Sequence, residues 1–163
     1  MLIVIDQRAP KEAKSNLSQF GKLVEFNTHG IVYPAISGHP DIFICQTPSC
    51  LIIAPSIPKI YTDLLKLNNI AFEYGNSIVG SKFPETSYYN CVTNGHYLFH
   101  KKGFTDKEIL LRNESLELIE MPQAYTRCNL IEISKDTFIT SDRGIEKNLL
   151  KNAFKAHYFS PED

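Results

Sequence analysis

The stretch "CLIIAPSIPKIYTDLLKLNNIAFEY" (residues 50–74) decides the fold class. It begins with an apolar run typical of a buried strand, continues through a turn that contains proline, and then changes to the apolar spacing of a helix. The final "IAFEY" is again typical of a strand. Pro58 suits the first turn of the helix, where no intrahelical donor is needed. The stretch therefore predicts a strand–helix–strand unit.

The same plan recurs along the chain at intervals of about 45 residues. It is found in "LIVIDQRAPKEAKSNLSQFGKLVEF" (2–26), "YLFHKKGFTDKEILLRNESLELIEM" (97–121) and "TFITSDRGIEKNLLKNAFKAHYF" (137–159). Capping residues stand at two of the helix starts: Thr105, before Asp106, can cap one helix, and Ser141 or Asp142 can cap another. No low-complexity segment or linker interrupts the units, so we expect a single domain over 1–163.

A further strand precedes three of these units. "DIFICQ" (41–46), "SYYNCV" (87–92) and "CNLIEI" (128–133) are each followed by three residues suited to a hairpin turn. The predicted unit is therefore ββαβ, and the first unit lacks its opening strand. The four units span about 1–26, 39–74, 84–121 and 126–159. A doubly wound sheet would alternate one strand with one helix, whereas a repeated ββαβ unit favours radial or solenoid assembly.

Composition excludes several classes of function. The net charge of −1 lacks the basic excess of a nucleic-acid binder. No apolar run reaches the length of a membrane span, and the start lacks the pattern of a signal peptide, so we expect a cytoplasmic protein without membrane contact. The four cysteines, Cys45, Cys50, Cys91 and Cys128, form no CxxC pair. We therefore expect no metal and no cofactor, and we interpret the first three cysteines as core residues.

A ββαβ unit of about 45 residues repeated around an axis resembles the pentein fold, an α/β fold forming a five-bladed α/β propeller. This is the superfamily of arginine deiminases, dimethylarginine hydrolases, agmatine deiminases and amidinotransferases. "IDQRAPKEAKSNL", "SGHPDIFICQ" and "YTRCNLIEISKDTFITSDRGI" look closest to an uncharacterised bacterial branch of it. Only four units are present, and in the catalytic families the last segment carries the nucleophilic cysteine. An incomplete ring exposes strand edges, which predicts a possible homo-oligomer.

The resemblance also implies where a site lies. In a pentein the entrance to each opening strand faces the central pore, and the entrances here are "GHPD" (38–41), "FPET" (83–86) and "YTRC" (125–128). Convergence at one pore is therefore expected for His39, Asp41, Glu85, Arg127 and Cys128. Asp41 and Glu85 could accept the paired N–H groups of a guanidinium, and Arg127 could bind a substrate carboxylate.

The catalytic candidates are His39, which could move protons, and Cys128, whose thiol pKa the adjacent Arg127 would lower. Each of these residues also has an ordinary structural interpretation in a turn, a strand entrance or a surface ion pair. Asp6 and Arg8 could reach the pore or form a turn salt bridge. His96, His100 and His157 follow no metal-ligand spacing, which predicts surface positions.

Two functions remain open at this point. The first is an enzyme that binds or modifies a guanidino or amino small molecule at the pore. It would be related to the amidinotransferases, deiminases or hydrolases. The second is a non-catalytic pentein that serves as a ligand-binding or protein-interaction module. The superfamily offers a precedent for the second in a ribosome-associated translation factor.

Overall fold

A computed structural model describes residues 1–160 of the chain. The four helices are α1 (Lys11–Ser18), α2 (Lys59–Leu67), α3 (Lys107–Arg112) and α4 (Arg143–Lys151). The strands are β1 (Leu2–Asp6), β2 (Lys22–Phe26), β3 (Ile44–Gln46), β4 (Leu51–Ile53), β5 (Phe72–Tyr74), β6 (Val92–Thr93), β7 (Tyr97–His100), β8 (Glu117–Glu120), β9 (Leu130–Ser134), β10 (Thr137–Thr140) and β11 (Lys155–Tyr158). None of the helices described within 1–160 is long and apolar enough to cross a bilayer.

Three small sheets share one plan. In the sheets β3-β4-β5, β6-β7-β8 and β9-β10-β11, the middle strand pairs antiparallel with the strand before it and parallel with the strand after it. A hairpin makes the first connection and a helix makes the second. The remaining sheet contains only the parallel pair β1-β2. The mixed α/β class and the strand–helix–strand order are confirmed.

The opening strands begin later than the sequence predicts. Strands were expected from residues 41, 87 and 128, but β3, β6 and β9 begin at Ile44, Val92 and Leu130. Pro40 begins a 3₁₀ turn over Pro40–Ile42, because its fixed φ suits the first position of such a turn. Another 3₁₀ turn covers Arg127–Asn129. The candidate residues therefore lie on tight turns rather than on strands.

Aspartates cap two of the helices. Asp106 precedes α3 and accepts a hydrogen bond from the Glu108 backbone N–H, and Asp142 accepts one from the Ile145 N–H before α4. The hydroxyl of Thr105 does not cap α3, because it is hydrogen-bonded to a ring nitrogen of His100 instead. Pro58 lies immediately before α2 rather than within it.

The core consists of two clusters. The first packs the sheet β3-β4-β5 against the parallel pair, with Phe26, Phe43 and Tyr89 fully buried in it. The second joins the last two sheets through a group of aromatic rings that includes Phe99 and Phe138, whose centroids are 4.9 Å apart. Each sheet is too small to bury its apolar face alone, so packing between the sheets stabilises the fold.

Candidate functional site

Three of the predicted residues meet at one place. His39 lies directly before the turn that carries Asp41, and Cys128 lies in the turn before β9. The Cys128 sulfur is 2.9 Å from Asp41 Oδ2 and 3.9 Å from His39 Nδ1, and His39 Nδ1 is 3.8 Å from Asp41 Oδ1. We call these three residues the triad cluster. Cys128 is far from His39 and Asp41 in sequence, and the three come together because two turns face each other.

Asn90 organises the triad cluster and was missed by the sequence analysis. Its side chain is fully buried, and its amide nitrogen donates to Asp41 Oδ2 at 2.8 Å and to the Cys128 sulfur at 3.2 Å. Its amide oxygen accepts the Cys128 backbone N–H at 3.3 Å. Asparagine is uncommon inside strands, and a buried amide must be hydrogen-bonded. The signal available in the sequence was a polar asparagine between Tyr89 and Cys91, within a stretch predicted to be a buried strand.

The Cys128 sulfur is held as a protonated thiol. Desolvation of the sulfur is the largest cause of a thiol pKa raised above its ordinary value, although the residue as a whole is exposed, and the charge and hydrogen bond of Asp41 raise it further. Asn90 and Arg127 act in the opposite direction. From the sequence, the adjacent Arg127 is expected to lower the pKa of the Cys128 thiol. That expectation has the correct sign for Arg127 alone, but desolvation and the nearer carboxylate outweigh it. The thiol therefore donates to Asp41.

A salt bridge supports the loop that precedes His39. Arg8 binds Asp6 at 2.7 Å and also donates to the carbonyl oxygens of Pro34 and Ala35, at 2.9 and 3.0 Å. The Asp6 carboxylate lies against Gly38 so closely that a side chain there would overlap it. Arg8 is the main reason that the pKa of Asp6 is lowered, and His39 adds to the effect. Asp6 and Arg8 therefore form a turn salt bridge behind the site.

Aromatic side chains lie beside the triad cluster. Burial raises the pKa of Tyr33, and the neighbouring Tyr125 and Cys128 contribute to the same shift. The hydroxyl groups of Tyr125 and Thr86 are hydrogen-bonded at 2.6 Å. The ring of Phe83 has its centroid 6.4 Å from that of Tyr125 and remains about half exposed. Flat apolar surfaces of this kind can stack against a planar cation.

Arg127 and Glu85 have different positions relative to the triad cluster. A cavity of about 760 Å³ is lined by residues of all four sheets, including Val4, Ile44 and Ile131, and both Asp41 and Arg127 border it. Within residues 1–160, the Arg127 side chain donates to the Leu130 carbonyl oxygen, at 3.4 Å, and forms no ion pair, while its backbone N–H donates to the Asn90 carbonyl oxygen at 3.2 Å.

Glu85 is exposed, and its carboxylate lies against Gly80. In the same described part of the chain, no hydrogen bond or ion pair joins it to the triad cluster. A role for Glu85 in substrate binding stays a prediction.

The donor atoms of the triad cluster are also of the types that hold metals. One ligand atom from each of His39, Asp41 and Cys128 lies within 4.8 Å of the others. Imidazole nitrogen, carboxylate oxygen and thiolate sulfur are the three ligand types that Zn²⁺ accepts. No metal-ligand spacing is visible along the chain, because these ligands come from two distant turns. The expected absence of a metal stays a prediction.

Fold and site thus define a mixed α/β domain in which a cysteine, a histidine and an aspartate meet, and the aspartate borders the cavity. A family model described as "Family of unknown function (DUF6873)" matches residues 4–163, and the chain belongs to this family. No curated protein is significantly similar to the chain.

Proposed function

We propose that the four units surround a common axis, as in a pentein, and that the cavity on this axis binds a small molecule carrying a guanidinium or amidinium group. Three sheets of identical plan support the arrangement. The cavity supports it too, because residues from every sheet line it. β3 also lies directly against β6, as neighbouring blades require. A fold alone does not define a function, so the chemistry rests on the triad cluster.

The observation that carries the proposal is the close approach of the Cys128 sulfur to Asp41. A guanidinium is planar, and its paired N–H groups suit a carboxylate. With the thiol 2.9 Å from Asp41 Oδ2, a cation bound to that carboxylate has its central carbon near the sulfur. Tyr33 and Tyr125 offer flat surfaces for the same group. Arg127 borders the cavity and can pair with a carboxylate elsewhere on the ligand.

Binding of a cation also activates the thiol. The positive charge replaces the thiol as the partner of Asp41 and offsets the carboxylate charge that raises the thiol pKa. The Cys128 thiol then transfers its proton to His39, and the thiolate attacks the guanidinium carbon. A new S–C bond forms, and one C–N bond breaks with loss of an amine that takes the proton from His39. Water then attacks the same carbon and the C–S bond breaks. One water proton returns to the sulfur and the released amine takes the other, which leaves a ureido product, the free thiol and an ammonium ion.

Calorimetric titration with arginine, agmatine and dimethylarginine tests this function, with ammonia or amine release as the second readout. We expect binding and release with the wild type, and neither with Asp41→Asn, which keeps the shape but removes the charge. Glu114→Gln removes an exposed carboxylate outside the candidate site and is the matched control. Cys128→Ala is expected to bind without release. The proposal is wrong if none of the three compounds binds, or if Asp41→Asn binds them as the wild type does.

The raised pKa of Cys128 favours a second candidate, in which the protein binds the same cation without chemistry. A thiol that stays protonated is a poor nucleophile. In that case the wild type and Cys128→Ala bind equally and neither releases ammonia or amine. This outcome retains the binding site and replaces the enzyme by a ligand-binding module.

Self-association is the proposed consequence of an open ring. β9 is an edge strand whose Ile131 and Ile133 are 55% and 57% exposed, and edge strands with apolar side chains favour pairing with another chain. Light scattering is expected to give a dimer for the wild type and a monomer for the Ile131→Lys, Ile133→Lys double variant. A wild-type monomer contradicts the proposal.

A further inference from the structure

Two of the four cysteines are in contact within the core. Cys45 lies in β3, Cys91 directly precedes β6, and their sulfur atoms are 3.2 Å apart. They are 1% and 3% exposed. The sequence analysis interpreted each as a separate core residue. No short spacing marked them as a pair, because they come from different units.

We propose that Cys45 and Cys91 form a redox-active dithiol, and that its closure to a disulfide ties together the two segments that carry Asp41 and Asn90. A disulfide has an S–S distance of about 2.05 Å, so the sulfur atoms must approach by about 1.2 Å. This is within the reach of small side-chain rotations, because β3 and β6 already lie against each other.

The cavity gives a small oxidant access to the pair. Cys91 lines the cavity that Asp41 and Arg127 border, although little of its surface is exposed to bulk solvent. A molecule the size of hydrogen peroxide can therefore reach its sulfur from the cavity side. Burial in the core alone does not protect this cysteine from oxidation.

The pair is linked to the triad cluster by the chain itself. Asp41 lies in the 3₁₀ turn just before β3, the strand that contains Cys45. Asn90 is adjacent to Cys91. The Asn90 amide donates to Asp41 Oδ2 at 2.8 Å, so the same two segments already meet at the site. A disulfide adds a covalent restraint behind this hydrogen bond. The consequence for ligand binding rests on the proposed function.

Hydrogen peroxide is the oxidant that balances the reaction. One sulfur attacks the peroxide, the O–O bond breaks, and a sulfenic acid and water form. The other sulfur then attacks the sulfenic sulfur, the S–O bond breaks, and a second water leaves with the remaining proton. The two thiols are oxidised by two electrons and the peroxide is reduced. The neighbouring Cys45 and burial raise the pKa of the Cys91 thiol, so oxidation should accelerate at alkaline pH.

A Cys50→Ala, Cys128→Ala variant of the full chain isolates the pair. After treatment with hydrogen peroxide, we expect both remaining thiols to disappear together and a peptide linking Cys45 to Cys91 to be found by mass spectrometry. Dithiothreitol should restore both thiols. Adding Cys45→Ser to this background is the control and should prevent the linkage within one chain. The proposal is overturned if both thiols survive peroxide that oxidises Cys128 in the wild type, or if they become sulfinic acids without a linked peptide.

The coupling to the site has a separate readout. In the same double variant, calorimetry with agmatine is expected to show severalfold tighter binding to the oxidised form, because the disulfide preorganises Asp41 and Asn90. Equal affinity for the oxidised and reduced forms overturns the coupling. If agmatine binds neither form, the proposed function fails, while peptide mapping still decides whether the disulfide exists.

Discussion

Histidine and aspartate residues occur in two regions of the molecule that differ in burial and in hydrogen bonding. His100 is fully buried, and its ring nitrogens contact the Thr105 hydroxyl at 2.7 Å and the Ala124 carbonyl oxygen at 2.8 Å. Nearby along the chain, Asp106 is 1% exposed. Its carboxylate accepts backbone N–H groups from Asn76, Ser77 and Glu108.

The triad cluster is less fully hydrogen-bonded. The side chain of His39 is 37% exposed, and its closest polar neighbours are 3.8 and 3.9 Å away. In the part of the chain that the structure describes, the Asp41 carboxylate accepts hydrogen bonds from side chains only, one amide and one thiol. The comparison shows how the same residue types acquire different roles. Full burial with every polar atom paired stabilises a fold, whereas partial exposure beside a cavity leaves groups free to bind a ligand.

The largest expected effect is the loss of stability on removing the Asp106 carboxylate. Asp106→Ala leaves three backbone N–H groups without their partner and removes the cap of α3. We expect the free energy of unfolding to fall by about 3 kcal/mol or more, measured by urea denaturation. Asp41→Ala should cost about 1 kcal/mol or less, because the buried Asn90 amide keeps its contacts with the Cys128 sulfur and the Asp41 backbone carbonyl oxygen. Asp106→Asn is the control, since asparagine can still cap. If Asp41→Ala destabilises more than Asp106→Ala, the assignment of roles is wrong.

The next effect is a loss of stability in acid that originates from His100. Burial lowers the pKa of His100 from 6.5 to about 4 in the folded state. Between these values the unfolded chain binds more protons, so this contribution is complete above pH 6.5 and is lost as the pH falls toward 4. The full change amounts to about 3 kcal/mol.

Urea unfolding at several pH values measures this loss of stability. His100→Gln retains polar contacts and cannot titrate in this range, so its stability should vary less with pH than that of the wild type. Identical pH profiles for the two proteins would contradict the prediction.

The smallest effect concerns the reactivity of Cys128. Asp41→Asn removes a charge that raises the thiol pKa, so Cys128 should be alkylated faster by neutral iodoacetamide at fixed pH. Each unit of pKa lowering should increase the rate about threefold, because the gain in thiolate is partly offset by weaker nucleophilicity. Mass spectrometry of the Cys128 peptide measures the rate, with Cys50 as the internal control. A slower rate in Asp41→Asn would show that Asp41 does not hold the thiol protonated.

The sequence predicted the strand–helix–strand order because apolar spacing changes visibly within stretches such as 50–74. It also singled out His39, Asp41 and Cys128, although the convergence followed from a resemblance rather than from the residues. It placed Asp41 on a strand because a proline-initiated turn and an edge strand share similar composition.

The features that the sequence did not predict depend on three-dimensional packing. Spacing along the chain carries no information about burial, so His100 was expected at the surface and is fully buried. The contact of Asn90 with two turns that lie about 40 to 50 residues away, and the contact between Cys45 and Cys91, are set by sheet packing.

The most direct test of the account is to label Cys128 with two electrophiles of similar shape, the cation 2-chloroacetamidine and the neutral 2-chloroacetamide. Both transfer their carbon to the thiolate with loss of chloride, and Cys50 corrects for their intrinsic reactivity. If the triad cluster binds planar cations, the amidine should label Cys128 preferentially, agmatine should protect it, and Asp41→Asn should abolish the preference. An equal preference at Cys128 and Cys50, or one that survives Asp41→Asn, would contradict the account.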